Sequence, residues 1–197
     1  MNIAIIGNDT AFKEATSKLG GTHEYIHFEV FNPELKSQKF DVVFDFNSER
    51  TQDVLLYSKG ETPVFINTVF STLAEYKMES NVLIFGFCGL PTFFNRSLIE
   101  VVSSKENKTK LESSMTALGL NFTIVKDHVG MVTPRIVCMI INEAYETLNQ
   151  GVASREDIDL SMKLGTNYPF GPFEWSEKIG LENVKRLLIN LGQTPNF

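Results

Sequence analysis

The chain has 197 residues, with 18 basic against 24 acidic side chains, a net charge of −6, and 43% hydrophobic and 11% aromatic residues. These proportions exclude a disordered tail, a coiled coil and a collagen-like fibre, and they leave ample apolar material for one large domain or two small ones. The longest apolar runs, at 82–87 and 136–141, fall far short of the ~20 residues that a membrane-crossing helix needs. Net acidity without a Lys/Arg stripe argues against nucleic acid, so a small molecule or a protein is the expected partner. Residues 1–7 carry neither a basic flank nor a signal-length apolar core, and a cytoplasmic location is expected. The two cysteines, Cys88 and Cys138, make no metal or disulfide framework and sit in apolar surroundings, as packed free thiols do.

In chain order, residues 2–7 form a nearly continuous apolar run closed by a glycine, the pattern of a strand buried on both faces. Asn8-Asp9-Thr10 is good capping chemistry for a helix that follows. Similar apolar runs recur at 25–30, 41–46, 63–67 and 82–87, and a polar helical stretch is expected over 48–59. Short apolar runs alternating with helical patterns predict a βαβ series and a doubly wound parallel sheet. A strand over 98–102, a helix over 105–118 stopped by Gly119, and a strand over 121–125 complete this part.

From Asp127 onward the pattern is helical only. Thr133 is the expected N-cap and Pro134 the first helical residue, where its missing N–H costs nothing. Ile136, Val137, Ile140, Ile141, Ala144, Tyr145 and Leu148 share one face at helical spacing up to about Gln150, and Gly151 supplies a left-handed C-cap. Ser154 with Asp157 resembles a capping box that opens a helix ending at Gly165. The prolines at 169 and 172 predict an irregular stretch over 167–172, and a last amphipathic helix runs from Leu181 to Leu191 before Gly192. The expected division is an α/β domain at 1–125 and a helical domain at 126–197.

An ordered string runs through the second part: Asn142-Glu143-Ala144-Tyr145, then 151–159, then Met162-Lys163-Leu164-Gly165, then 169–174, then Ile179-Gly180-Leu181. It resembles the helical C-terminal domain of the 3-hydroxyacyl-CoA dehydrogenases. In the first part Asn67-Thr68, Gly86 and 98–102 fall in that family's order. The resemblance implies a reduced Rossmann-like doubly wound sheet, followed by a helical domain that forms a homodimer interface and closes one side of the active site. It also implies NAD as the candidate cofactor and a 3-hydroxyacyl-CoA or related hydroxy acid as substrate, with Gly7, Glu29 and Asn67 as candidate cofactor residues.

A dinucleotide fingerprint needs three glycines after the first strand, and the corresponding positions here are Gly7, Asp9 and Phe12. Asp9 places negative charge where a pyrophosphate would rest on helix amides, so its plainer role is to help cap the helix. Phe12 obstructs close packing of helix on strand. Glu29, twenty residues past Asp9, sits near where a ribose-binding acid belongs.

In the resembled family a histidine takes the hydroxyl proton, a glutamate orients it, and a serine and an asparagine hold the substrate oxygen. Ungapped alignment of 86–102 puts Cys88 at the histidine's place and Glu100 at the glutamate's. A carboxylate beside a thiol disfavours the thiolate, so Cys88 is expected to be a neutral, packed thiol. Val69 takes the serine's place and Pro134 the asparagine's, and neither offers a donor. General acid–base assistance is worth ~10²–10⁴-fold and an oxyanion donor ~10²–10³-fold, so these substitutions together leave little hydride transfer. His128, near the expected domain junction, is the one substitute base considered, and His23 and His27 are placed away from this site. The expectation is a divergent family member with a binding or scaffold role, and the rival is an NAD-dependent oxidoreductase.

Overall fold

In a computed structural model of the chain, the structure describes residues 1–30, 38–47, 62–76 and 82–197. The helix expected over 48–59 lies outside the described residues. Two compact units divide between Met131 and Val132, which leaves 126–131 in the first unit.

The first unit is built on a seven-stranded sheet: β1 (Asn2–Ile6), β2 (Glu24–Phe28), β3 (Val42–Asp45), β4 (Val64–Asn67), β5 (Ile84–Phe87), β6 (Ile99–Val102) and β7 (Phe122–Ile124). The spatial order is β2-β1-β3-β4-β5-β6-β7. All neighbours are parallel except β5 and β6, which pair antiparallel with Phe87 opposite Val101. The exception follows from chain length: antiparallel strands tolerate a short link, whereas a parallel pair needs a crossover of a dozen or more residues. The link from β5 to β6 has no helix to make that crossover, while helix α2 (Lys108–Ala117) provides it between β6 and β7.

One sheet face is nearly all aromatic and aliphatic. Ile3, Ile5, Val42, Phe44, Phe46, Phe65, Phe85, Phe87, Ile99 and Val101 pack with Ala15 and Leu19 of α1 (Asp9–Leu19) and with Leu111 and Met115 of α2. Phe94, from the β5–β6 loop, seats itself edge-on among Phe44, Phe46 and Phe87 at centroid distances of 5.2–5.5 Å. That loop is held on the face by α1, since the Glu14 carboxylate accepts the N–H groups of Thr92 and Asn95, each at 2.9 Å.

The second unit is helical: α3 (Thr133–Asn149), α4 (Arg155–Thr166), α5 (Pro172–Ile179) and α6 (Leu181–Asn190). Its core includes Ala144, Ile158 and Phe173, with Tyr145 and Leu148 packed against them. Two local expectations are corrected. The α3 N-cap is Val132, without a side-chain cap bond, and Thr133 is already helical. Residues 167–172 end by opening α5, which the proline pattern concealed: Pro172 is its first residue, and the N–H groups of Phe173 and Glu174 donate to the Asp159 carboxylate at 2.8 and 3.1 Å. The Ser154 cap stands as expected, with the Asp157 N–H donating to Oγ at 3.1 Å. Helix α4 continues one residue past Gly165 and stops where Asn167 takes the left-handed conformation.

Candidate functional site

In an open α/β sheet, ligands bind outside the carboxyl ends of the strands at the point where strand order reverses. Here that point lies beside β1, between β2 and β3, and the chain reaches it through the turn Gly7-Asn8-Asp9. Gly7 is demanded by packing alone: a Cβ there would lie 3.0 Å from Ala11 Cβ and 3.1 Å from Phe46 Cβ. Asn8 is the N-cap, its Oδ1 accepting the Ala11 N–H and its carbonyl the Phe12 N–H, both at 3.0 Å. Asp9 is exposed in the first helical turn, where its charge complements the helix dipole.

Phe12, at the place of the third glycine, stacks on His27 of β2 with ring centroids 4.3 Å apart and planes 17° from parallel. The His27 Nε2–H donates to the Gly7 carbonyl at 2.8 Å. His27, which the sequence sets apart from the catalytic candidates, belongs to the first turn. Its signal was the parallel register, which sets His27 opposite Ile5 near the carboxyl end of β1. Glu29 lies exposed just past β2, and its carbonyl accepts from Asn47 Nδ2 at 2.6 Å.

Cys88 and Glu100, the residues that the resemblance aligns with a catalytic pair, lie further along the sheet. Extending the β5–β6 register by one residue sets Cys88 opposite Glu100. Cys88 is buried and Glu100 half-buried. Beside them, just past β4, Thr68 donates its N–H to the Phe87 carbonyl at 3.0 Å. Its Oγ1 is buried and has no hydrogen-bond partner among the described residues; it lies directly over Gly86, where a Cβ would meet it at 2.4 Å. Thr68 is the residue that sequence reasoning passed over; its signal was the missing side chain at Gly86.

Asn67 is tied into the ends of three strands. Its Nδ2 donates to the Phe46 carbonyl at 3.1 Å, and its Oδ1 accepts from the Val69 N–H at 3.2 Å and the Gly89 N–H at 3.0 Å. Val69 is fully buried, and its carbonyl accepts the Gly130 N–H at 2.8 Å. His128 is exposed, and its carbonyl accepts the Met131 N–H at 3.0 Å. The neighbouring Asp127 carboxylate takes the N–H groups of Leu73 and Ala74 at 2.7 and 2.9 Å, holding the 3₁₀ turn Leu73–Glu75. In the second unit Pro134 is buried in the first turn of α3. Cys138 is buried too, and burial pushes its thiol up to about 12. Among the described residues no group of three or more His, Cys, Asp or Glu could hold a metal ion, and no helix is long and apolar enough to cross a membrane.

A Rossmann-like α/β unit with a separate helical unit defines the class. The model of the 3-hydroxyacyl-CoA dehydrogenase C-terminal domain matches residues 130–195. The 3-hydroxyadipyl-CoA dehydrogenase of Escherichia coli K12 is 51% identical over 67 residues, 34% of this chain and 14% of that protein. The mitochondrial hydroxyacyl-coenzyme A dehydrogenase of Homo sapiens is 28% identical over 180 residues, covering 87% of this chain and 53% of that protein. The crystal structure of a (S)-3-hydroxybutyryl-CoA dehydrogenase from Ralstonia eutropha superposes with a TM-score of 0.71 at 22% identity, over 96% of this chain and 86% of that one. Residues 130–195 match the C-terminal domain of the 3-hydroxyacyl-CoA dehydrogenases, and the chain as a whole is similar to members of that family. It spans about half the length of the mammalian relatives it matches, at 53% of the human protein.

Proposed function

We propose that this chain is a non-catalytic family member, in which the cofactor crevice is given over to packing and the helical unit serves a binding or scaffold role as a homodimer. The observation that carries this reading is the Phe12–His27 stack, hydrogen-bonded to Gly7, where a dinucleotide needs a bare backbone. NAD does not fit that turn. The Asn8 side chain and carbonyl already take the Ala11 and Phe12 amides, and Asp9 adds a negative charge to the same helix start. Val69 and Pro134 support the same reading, because neither can donate a hydrogen bond to a substrate oxygen.

The scaffold role rests on apolar side chains that the helical unit leaves open to solvent: Ile136, Met139 and Leu164 are 51%, 38% and 77% exposed. Rows of such side chains mark surfaces that associate with protein. Two assays test the two halves. Mixed with NADH and acetoacetyl-CoA, the protein is expected to leave the 340 nm absorbance unchanged, and saturable turnover would establish the NAD-dependent oxidoreductase instead. Light scattering at tens of micromolar is expected to give twice the chain mass, and a monomer there would remove the homodimer.

A further inference from the structure

Helix α3 carries a second row of side chains, distinct from the exposed Ile136 and Met139. Asn142, Tyr145 and Asn149 recur at i, i+3 and i+7, so they form one stripe along the helix. The segment Thr194–Phe197 lies on this stripe and runs the same way. Asn142 Nδ2 donates to the Thr194 carbonyl at 3.1 Å, and Asn142 Oδ1 accepts the Asn196 N–H at 2.8 Å. Asn149 Nδ2 donates to the Asn196 carbonyl at 2.8 Å.

A carboxamide that gives one bond to a carbonyl and takes one from the N–H two residues later reads extended main chain, as a neighbouring β-strand would. Side-chain preference is added at three positions. Pro195 favours the extended form and has no N–H that would need an acceptor. Asn196 Nδ2 donates back to the Asn142 carbonyl at 3.2 Å. Phe197 packs on Tyr145 at a centroid distance of 4.6 Å, and Tyr145 in turn packs edge-on against Phe173, over which the Arg155 guanidinium sits at 4.5 Å. Asn142 is only 8% exposed with the segment in place, and the segment supplies partners for its carboxamide there.

We propose that this stripe is a peptide-reading groove, filled in cis by the chain's own segment, and that the occupant is exchangeable for the same segment presented by a second copy of the chain. Exchange of an identical element re-forms the same bonds across two chains, and Gly192, with φ of 72°, supplies the turn at which the segment can swing. This site is separate from the apolar rows invoked for dimerisation, and it stands whether or not the chain is catalytic.

The probe is a labelled peptide of sequence Gln-Thr-Pro-Asn-Phe, added to the full chain. In hydrogen exchange on the unaltered protein, the Asn196 N–H is expected to be protected. Millimolar unlabelled peptide is expected to accelerate its exchange severalfold without changing the amides of α3. The full-chain variant Phe197→Ala, with its own segment loosened, should bind the labelled peptide at least tenfold more tightly than the native chain, and a scrambled sequence should not bind. Adding Asn142→Leu to that variant should abolish the binding. Circular dichroism checks that each variant is folded; Asn142→Asp, which keeps the acceptor and loses the donor, replaces Asn142→Leu if the latter is not, and should weaken binding severalfold. An unprotected Asn196 N–H, equal binding of native sequence and scramble, or binding indifferent to both Asn142 substitutions would each overturn the proposal.

Discussion

Replacing Thr68 by valine should stabilise the protein. Thr68 is 1% exposed and its hydroxyl has no partner among the described residues, so the oxygen is out of water with nothing returned. A buried hydroxyl without a hydrogen bond costs about 1–3 kcal/mol in mutational series. Valine keeps the shape and removes that cost, but it sets a larger methyl group in the space over Gly86, so a net gain of about 1 kcal/mol is expected. In a chain of this size that corresponds to a melting temperature roughly 2–4 °C higher, measurable by calorimetry. Gly86→Ala provides the converse. Its Cβ would meet Thr68 Oγ1 at 2.4 Å and Val102 Cβ at 3.1 Å, and overpacking of this kind costs about 1–3 kcal/mol. In a Thr68→Ala background that cost should fall by about 1 kcal/mol, the sign of direct coupling in a double-mutant cycle. Destabilisation by Thr68→Val would show that the hydroxyl holds a partner, and strict additivity in the cycle would show that it does not lie over Gly86.

Asn67→Leu strands the N–H groups of Val69 and Gly89 and the carbonyl of Phe46, and should cost about 2–4 kcal/mol in urea unfolding; a cost under about 1 kcal/mol would deny Asn67 its tie across three strands. Cys138, with its thiol raised from 9.0 to about 12, should resist Ellman's reagent at pH 8 in the folded chain and react once unfolded; rapid native reaction would contradict its burial. The raised value means that the folded state favours the neutral thiol. Its contribution is therefore fully present below pH 9 and is lost as the pH climbs towards about 12, and Cys138→Ala should flatten that part of the stability profile.

Most of the strands were legible because apolar runs closed by glycine or asparagine leave few other conformations, and α3 because its apolar residues keep one face over four turns. Four features were not. Helix α5 was hidden because proline signals both a break and a helix start, and its cap comes from Asp159 on a different helix. The antiparallel turn of β6 depends on what the β5–β6 link lacks, not on the composition of the strand. The sequence singles out Gly7, Asp9 and Phe12 at the first turn, but the stacking partner His27 comes from another strand, and only the pairing register brings it there. Cys88 and Glu100 are singled out only by the alignment that the resemblance implies; Thr68 is not, because an orphaned hydroxyl is a property of its surroundings.

The most direct measurement is a titration of the purified protein with NADH, following nicotinamide fluorescence. With Phe12 stacked on His27 and the Asn8 cap committed, no saturable signal should develop up to millimolar NADH, and none should appear in the thermal melting curve. Saturable binding at micromolar NADH, abolished by Gly7→Val, would place a dinucleotide on the turn and contradict the account.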